Sequence, residues 1–162
     1  MDHAKHFLKH GIFGGTCQNN FGSFDCLVHC PGEVTIFNEA DLTALADCQV
    51  MDGYIQISSA TLTNVDALSN LKYTNADLTI TGNASLTNLD GLSNLETVLG
   101  DLRIENNPAL TNVDGLSQVT HVGSSLTFLD NDLLQSIGLS NLTTAGDLSI
   151  FDNAALTNLN GL

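Results

Sequence analysis

Six stretches of this chain are variants of one another. The clearest is "LRIENNPALTNVDGL", which begins at Leu102. Other copies, some shortened or looser, begin at Val34, Ile55, Leu78, Leu126 and Leu148. The last four starting leucines, at 78, 102, 126 and 148, are 24, 24 and 22 residues apart. Self-similarity at a fixed period of this size is typical of solenoid proteins, in which each repeat stacks on the next.

The order of apolar residues within one copy predicts how the chain runs. Leu102 and Ile104 are two residues apart, which is the spacing of a strand with one buried face. Pro108 follows a pair of asparagines and marks a corner, because proline fixes φ and asparagine tolerates the left-handed region. The next apolar residues recur every third position, and Gly, Asn and Asp between them make a poor helix interior. We therefore predict short extended arcs separated by corners, and a mostly β fold: a β-helix of about six coils.

Stacked copies place equivalent residues in columns. One predicted column is leucine at 78, 102, 126 and 148, and a second contains Ile57, Ile80, Ile104, Phe128 and Ile150. A polar column at the first corner contains Asn83, Asn107, Asn131 and Asn153. Their amides are expected to bond along the stack, as in asparagine ladders of cross-β structures. We predict a structural role for them.

Charge excludes some classes of partner. The chain has 18 acidic residues against four basic ones, a net charge of −14. The four are Lys5, Lys9, Lys72 and Arg103. Nucleic-acid binding requires clustered basic residues, and so does docking on anionic lipid. No apolar run reaches the roughly 18 residues of a membrane-spanning helix. We expect neither nucleic-acid binding nor membrane insertion.

The N-terminal third differs from the repeats. Residues 1–16 are predicted to be a tail, and its three histidines (3, 6 and 10) suit a tag-like segment better than a rigid metal site. Residues 17–53 form a cap with the first coil, and 54–162 are the regular repeats. All four cysteines, Cys17, Cys26, Cys30 and Cys48, lie in the cap. Their even number suggests two disulfides and an oxidising compartment. Asn38 is placed to begin a short capping helix.

Taken together, Cys30-Pro31-Gly32, the stretch "LTALADCQVMDGYIQI" and the repeated "GDLxIxxN" segments resemble the receptor L domain family. That family consists of right-handed, leucine-rich-repeat-like β-helices in receptor ectodomains and cell-surface proteins. The resemblance implies that Cys30 pairs with Cys48, and with it that Cys17 pairs with Cys26. It implies an extracellular or cell-surface location. The resemblance does not identify a ligand, since the repeats of this chain are more regular than those of receptor L domains.

Two outward columns are candidate sites. Threonine and asparagine recur together at Thr63, Asn64, Thr87, Asn88, Thr111, Asn112, Thr157 and Asn158. Flat threonine rows of this kind occur in ice-binding solenoids, although ordinary turn chemistry explains them too. Aspartate recurs at Asp66, Asp90 and Asp114, where calcium is a weak alternative to a solvated acidic edge. Sequons begin at Asn83 and Asn141, of which Asn141 is the freer.

No catalytic motif is present: the chain has no nucleophile elbow, zinc-protease helix, phosphate loop or dinucleotide fingerprint. The expected function is therefore non-enzymatic, that of an extracellular binding or adhesion module for a protein or glycan, without a cofactor. One alternative is a structural subunit that self-associates through an uncapped C-terminal coil into filaments or a surface layer. The other is an ice- or calcium-binding repeat protein.

Overall fold

A computed structural model describes residues 15–17, 26–159 and 162. For residues 15–17 and 26 it describes the backbone alone. Within this part the fold is mostly β, with two six-stranded sheets and little helix. Sheet 1 contains β1 (Gly15–Cys17), β2 (Cys26–Cys30), β4 (Val50–Met51), β6 (Tyr73–Thr74), β8 (Thr97–Val98) and β10 (His121–Val122). Sheet 2 contains β3 (Val34–Ile36), β5 (Ile55–Ile57), β7 (Leu78–Thr81), β9 (Leu102–Glu105), β11 (Leu126–Leu129) and β12 (Leu148–Phe151).

Strand pairing follows the repeats. In sheet 2 every pair is parallel, and each strand pairs with its counterpart one repeat later. The register joins Leu78 to Leu102, Leu102 to Leu126 and Leu126 to Leu148, so the predicted leucine column is confirmed. The isoleucine column is confirmed as well, with Phe128 between Ile104 and Ile150. Leucine, isoleucine and valine from each repeat join one continuous apolar core, as parallel sheets require.

The N-terminal end of the stack is closed by local structure. β1 runs antiparallel to β2 and is the outermost strand of sheet 1, so it pairs with the edge of β2 that faces away from the repeats. Helix α1 (Glu39–Thr43) begins after Asn38, whose side chain accepts from the backbone N–H groups of Ala40 and Asp41. The predicted capping helix is thereby confirmed, and the residue chosen as its cap makes the expected hydrogen bonds.

The disulfide between Cys30 and Cys48 is present and buried, and its Cα atoms are 5.8 Å apart. It joins the end of β2 to the segment that follows α1. In the strand pair, the backbone of Cys17 lies opposite Cys26. Their side chains lie outside the described residues, so the second disulfide stays a prediction. The histidines of the predicted tail lie outside the described residues as well.

The steps of three residues differ from the prediction of extended arcs. Single 3₁₀ turns form at η1 (Asp66–Leu68), η2 (Asp90–Leu92) and η3 (Asp114–Leu116). The N–H of Leu116 donates to the carbonyl of Val113 at 2.8 Å, three residues earlier. A 3₁₀ helix has three residues per turn, so side chains at this spacing point the same way. The step from Val113 to Leu116 therefore marks a hydrogen-bonded turn, and the prediction of an extended arc was wrong there. Residues 110–113 form no 3₁₀ helix, and the N–H of Thr111 donates to the carbonyl of Thr87 in the preceding repeat.

The first corner of the later repeats requires a left-handed residue. Asn106, Asp130 and Asp152 have φ of 56°, 54° and 54°, and Gly82 occupies the same place with φ of 69°. Asparagine and aspartate enter this region more readily than other side chains, which explains their presence there. The described structure thus shows why each of these repeats has Asn, Asp or Gly directly before the column asparagine.

Burial is not uniform along the stack. Leu78, Leu102 and Leu126 are fully buried, whereas Leu148 at the same position is 50% exposed. Phe151, Leu159 and Leu162 are also exposed in this last described repeat. No strand of the described residues pairs with the outer edge of β12. The last repeat is therefore packed on one side only.

Candidate functional site

The asparagine column is an interior ladder. Asn83, Asn107 and Asn131 are fully buried, and Asn153 is half-buried. The Nδ2 of Asn83 donates to Oδ1 of Asn107 at 2.9 Å, and the Nδ2 of Asn107 donates to Oδ1 of Asn131 at 3.1 Å. Each Oδ1 also accepts the backbone N–H of the asparagine one repeat earlier. The ladder satisfies buried polar groups, and it is not accessible to a ligand.

The outward threonine and asparagine residues are also engaged within the chain. Oδ1 of Asn64, Asn88 and Asn112 accepts the backbone N–H of the aspartate that begins each 3₁₀ turn, at 3.1, 3.0 and 3.2 Å. The hydroxyl of Thr111 donates to the carbonyl of Thr87 at 3.1 Å. Thr157 and Asn158 are exposed in the last repeat. These contacts are turn chemistry, because the asparagine oxygens and threonine hydroxyls bond to backbone.

The aspartate column lies beside these residues. Asp66, Asp90 and Asp114 each begin a 3₁₀ turn and are exposed. The next repeat has no aspartate at this place. Its Gly138 lies against the last member of the column, since an added Cβ would be 2.8 Å from Oδ1 of Asp114. Within the described ranges, no three or more His, Cys, Asp and Glu residues are grouped so that they could hold a metal ion.

Two further hydrogen-bonded columns were missed from the sequence. Asn70, Asn94 and Asn141 are exposed, and each Nδ2 donates to a backbone carbonyl of the preceding repeat, at 2.8, 2.7 and 2.8 Å. The recurrent "LSNL" segments were the available signal. In the other column, Oδ1 of Asp77 accepts the N–H of Asp101 at 2.8 Å, and Oδ1 of Asp101 accepts the N–H of Ser125 at 2.9 Å.

The two sequons have different environments. Asn83 is fully buried, and its Nδ2 donates to both Ile57 and Asn107. Asn141 is exposed, with one bond to the carbonyl of Ser117. A glycan on the Nδ2 of Asn83 would displace the ladder, so Asn141 is the sequon that fits a folded chain.

Sheet 2 presents a long outward face. Alternation along its strands turns one row of side chains outward in the middle of the face. We call this row the central track: Thr35, Gln56, Thr79, Arg103, Thr127 and Ser149. All of its members except Arg103 are short or uncharged. Carboxylates lie before four of the six strands and, at the opposite strand ends, beside β9, β11 and β12. We call the residues before the strands the upstream border (Glu33, Asp77, Asp101 and Asp147) and those at or after the strand ends the downstream border (Glu105, Asp130 and Asp152).

Arg103 joins the two borders. Its Nη2 lies 2.7 Å from Oδ2 of Asp101, and its Nη1 lies 3.9 Å from Oε1 of Glu105. The side chain of Asp101 is 18% exposed, against 45% for Arg103. The hydrogen bond from Arg103, followed by those from the Ser125 backbone and the Ser124 side chain, lowers the pKa of Asp101 to about 2. This carboxylate therefore stays ionised at any physiological pH.

Tyr54 directly precedes β5 and lies in the row of the upstream border, between Glu33 and Asp77. Its hydroxyl donates to Oε1 of Gln56. Partial burial, then the negative charges of Asp77 and Glu33, raise the pKa of Tyr54. The phenol is accordingly neutral, and its surroundings are electronegative.

Sheet 1 has a narrower outward face with short strands. Oδ1 of Asp52 bonds to Nδ1 of His29 at 3.0 Å and to Nδ2 of Asn75 at 2.9 Å. The hydroxyl of Tyr73 donates to Glu96 at 2.9 Å. Polar side chains here bond mainly to neighbouring repeats, and Leu99 is an exposed apolar residue at 51%. The face is smaller and more irregular than that of sheet 2.

Comparison with known proteins adds one finding. A family model for the receptor L domain matches residues 47–161, which is more than half of the chain. A search of curated proteins finds no match. The matched range contains η1 to η3, the asparagine column and most of sheet 2. It begins one residue before Cys48, so Cys30 lies outside it.

Proposed function

Because the chain belongs to the receptor L domain family, we propose that it is a non-enzymatic binding module that presents the outward face of sheet 2 to a protein ligand. Receptor L domains are ligand-binding modules of receptors. The single observation that favours this face is its geometry: six parallel strands in continuous register, whose outward side chains are mostly short and uncharged. A glycan is the alternative ligand for the same face.

The setting we propose is extracellular or at a cell surface. The buried disulfide of Cys30 and Cys48 supports it, since disulfides persist in oxidising compartments. Among the described residues no helix is long and apolar enough to cross a membrane. We propose that binding requires no cofactor, so a chelator should leave affinity unchanged.

A pair of bulky substitutions tests the face. Tyrosine at Thr79 and Thr127 (Thr79→Tyr with Thr127→Tyr) places two large rings on the central track, in residues that strands accept well. The matched control is Thr97→Tyr on the outward side of sheet 1. We would screen purified extracellular proteins and a glycan array by surface plasmon resonance. The proposal expects ligands whose binding weakens at least tenfold in the double variant and is kept in the control. Binding that survives the double variant contradicts it.

A second candidate is self-association through the last repeat. The observation behind it is that no strand in the described part of the chain pairs with the outer edge of β12, where the side chains of Leu148 and Phe151 are exposed. Exposed strand edges pair readily with other chains, and heterologous pairing gives filaments or layers. Light scattering across a concentration series tests it, with Leu148→Pro as the variant that should block pairing, because the backbone N–H of the equivalent Leu102 and Leu126 bonds to the following repeat. A monomer at every concentration contradicts this candidate.

The remaining alternatives gain no support from the contacts. Ice binding needs free hydroxyls in a flat row, yet the hydroxyls of Thr87 and Thr111 donate to carbonyls of the preceding repeat. Calcium binding needs several oxygen ligands together, whereas the aspartate column offers one carboxylate per repeat.

We also propose that both sheets belong to one right-handed β-helix of six coils. Strand order that follows chain order in each sheet supports this architecture.

A further inference from the structure

Most of the carboxylates that lie beside sheet 2 belong to the two borders of the central track. Every acidic residue of the chain except Asp2 and Asp25 lies in the described part, where Lys72 and Arg103 are the only Lys and Arg. The upstream and downstream borders together hold seven carboxylates, as defined above. Between them the track is neutral apart from Arg103. The face is therefore a largely neutral strip with negative charge along its upstream side and, beside β9, β11 and β12, along its downstream side as well.

We propose that this strip binds an extended, arginine- or lysine-rich segment of a protein partner, laid across the strands with its cationic side chains reaching both borders. The inference rests on the proposed binding function and names the chemistry of the partner. Charge complementarity selects a basic segment over an acidic or apolar one.

The dimensions of the strip suit such a segment. Six strands are separated by five intervals of about 4.8 Å, which gives a length of about 24 Å. An extended chain advances about 3.3 Å per residue, so about seven residues span the strip. Successive side chains of an extended chain point to opposite sides, and from β9 to β12 both sides of the strip present carboxylates.

Arg103 shows how a cation is held on this strip. Its guanidinium, attached to the central track, contacts Asp101 upstream at 2.7 Å and Glu105 downstream at 3.9 Å. Its side chain is 45% exposed, whereas those of Asp101 and Glu105 are 18% and 21% exposed, so Arg103 covers part of the surface that an incoming cation would use. In this respect Arg103 competes with an incoming arginine. A site for an anionic ligand would instead use Arg103 as its attractive group, and the two cases predict opposite effects of removing it.

The test uses the full chain and a defined probe. The probe is acetylated, amidated hepta-arginine, and its neutral near-isostere hepta-citrulline is the control peptide. Calorimetry at low salt and at about 0.15 M salt measures affinity, which should fall as salt screens exposed charges. Arg103→Gln should strengthen hepta-arginine binding about twofold or more. Asp101→Asn with Glu105→Gln should weaken it about three- to tenfold, since each exposed pair contributes modestly.

A matched control separates local from general electrostatics. Asp66→Asn with Asp90→Asn also removes two negative charges, but from the 3₁₀ turns, and should change the affinity for hepta-arginine less than twofold. Glu105→Gln alone serves if the Asp101 variant folds poorly, and circular dichroism checks each protein. Equal loss in the control, equal binding of hepta-citrulline, or weaker binding by Arg103→Gln would overturn the inference. If these results appear while the tyrosine pair still blocks another ligand, the binding face stands and only the partner chemistry fails.

Discussion

The repeat that begins at Leu102 and the last one, at Leu148, have nearly the same residues in the same register, yet their surroundings differ. Leu102 is fully buried between two neighbours, and Leu148 is 50% exposed with one. Asn107 is fully buried, whereas Asn153 is half-buried. A residue's contribution to stability therefore depends on its place in the stack, because every repeat relies on two neighbours for its burial. Substitutions of equivalent residues in the two repeats test this dependence.

The largest expected effect is at the leucine column. Leu102→Ala should lower the free energy of unfolding by about 3–5 kcal/mol, because it leaves a cavity in a close-packed core. Leu148→Ala should cost about half of that or less, since much of its side chain already contacts water. Urea denaturation of both variants measures the difference. Equal losses would mean that the last repeat is covered in solution.

The disulfide tests the closed end of the stack. Replacing Cys30 and Cys48 together by alanine should cost about 3 kcal/mol, as expected for a bridge with a sequence separation of 18. Thermal melts of the oxidised protein and of the double variant provide the measurement. If the double variant has the same melting temperature as the parent protein, α1 and β1 close this end without the disulfide. Peptide mapping without reduction would also reveal whether Cys17 pairs with Cys26.

The asparagine ladder allows a comparison within one repeat. Asn107→Ala should cost about 2–3 kcal/mol, because the Nδ2 of Asn83 and the carbonyl of Ile80 lose a buried partner. Asn112→Ala in the outward threonine and asparagine column should cost about 1 kcal/mol, the usual loss for a side chain that accepts a backbone N–H at the start of a turn. Chemical denaturation compares them. If Asn112→Ala were the more damaging, the ladder would not be the main polar support of the corner.

The smallest expected effect is electrostatic. The pKa of Asp101 is lowered to about 2 from an ordinary value of 3.8, so the unfolded chain binds the proton more tightly. Its contribution to stability is thus present above pH 3.8 and is lost as the pH falls through about 2. Asp101→Asn should cost about 1 kcal/mol at pH 7, since its partner Arg103 is well exposed. Urea midpoints at several pH values should show this difference closing towards pH 2. A difference that is independent of pH would contradict the assignment.

Much of the fold could be predicted from the sequence because the apolar columns report burial directly. The spacing of Leu78, Leu102, Leu126 and Leu148 gave the register, and the buried asparagines could be found as polar residues at a fixed place in it. The 3₁₀ turns were missed because an apolar period of three suits either an arc or a turn, and backbone hydrogen bonds decide between them. The columns at Asn70 and Asp77 were missed for another reason. The recurrent "LSNL" segments signal the Asn70 column, but the partners in both columns are backbone groups one repeat away, so a pattern of side chains does not identify the bonds.

The glycines within two stacked 3₁₀ turns have a consequence for how such a protein can change in size. A Cβ at Gly91 or Gly115 would collide with the backbone carbonyl of Val65 or Leu89 in the preceding repeat, so neighbouring turns approach as closely as backbone allows. This contact recurs from η1 to η2 and from η2 to η3, and it fixes the distance between these repeats. Duplicating a 24-residue unit would therefore lengthen the protein by about 4.8 Å and leave its cross-section unaltered. Reach becomes a quantity that can be adjusted in fixed increments, independently of the surfaces that the molecule displays.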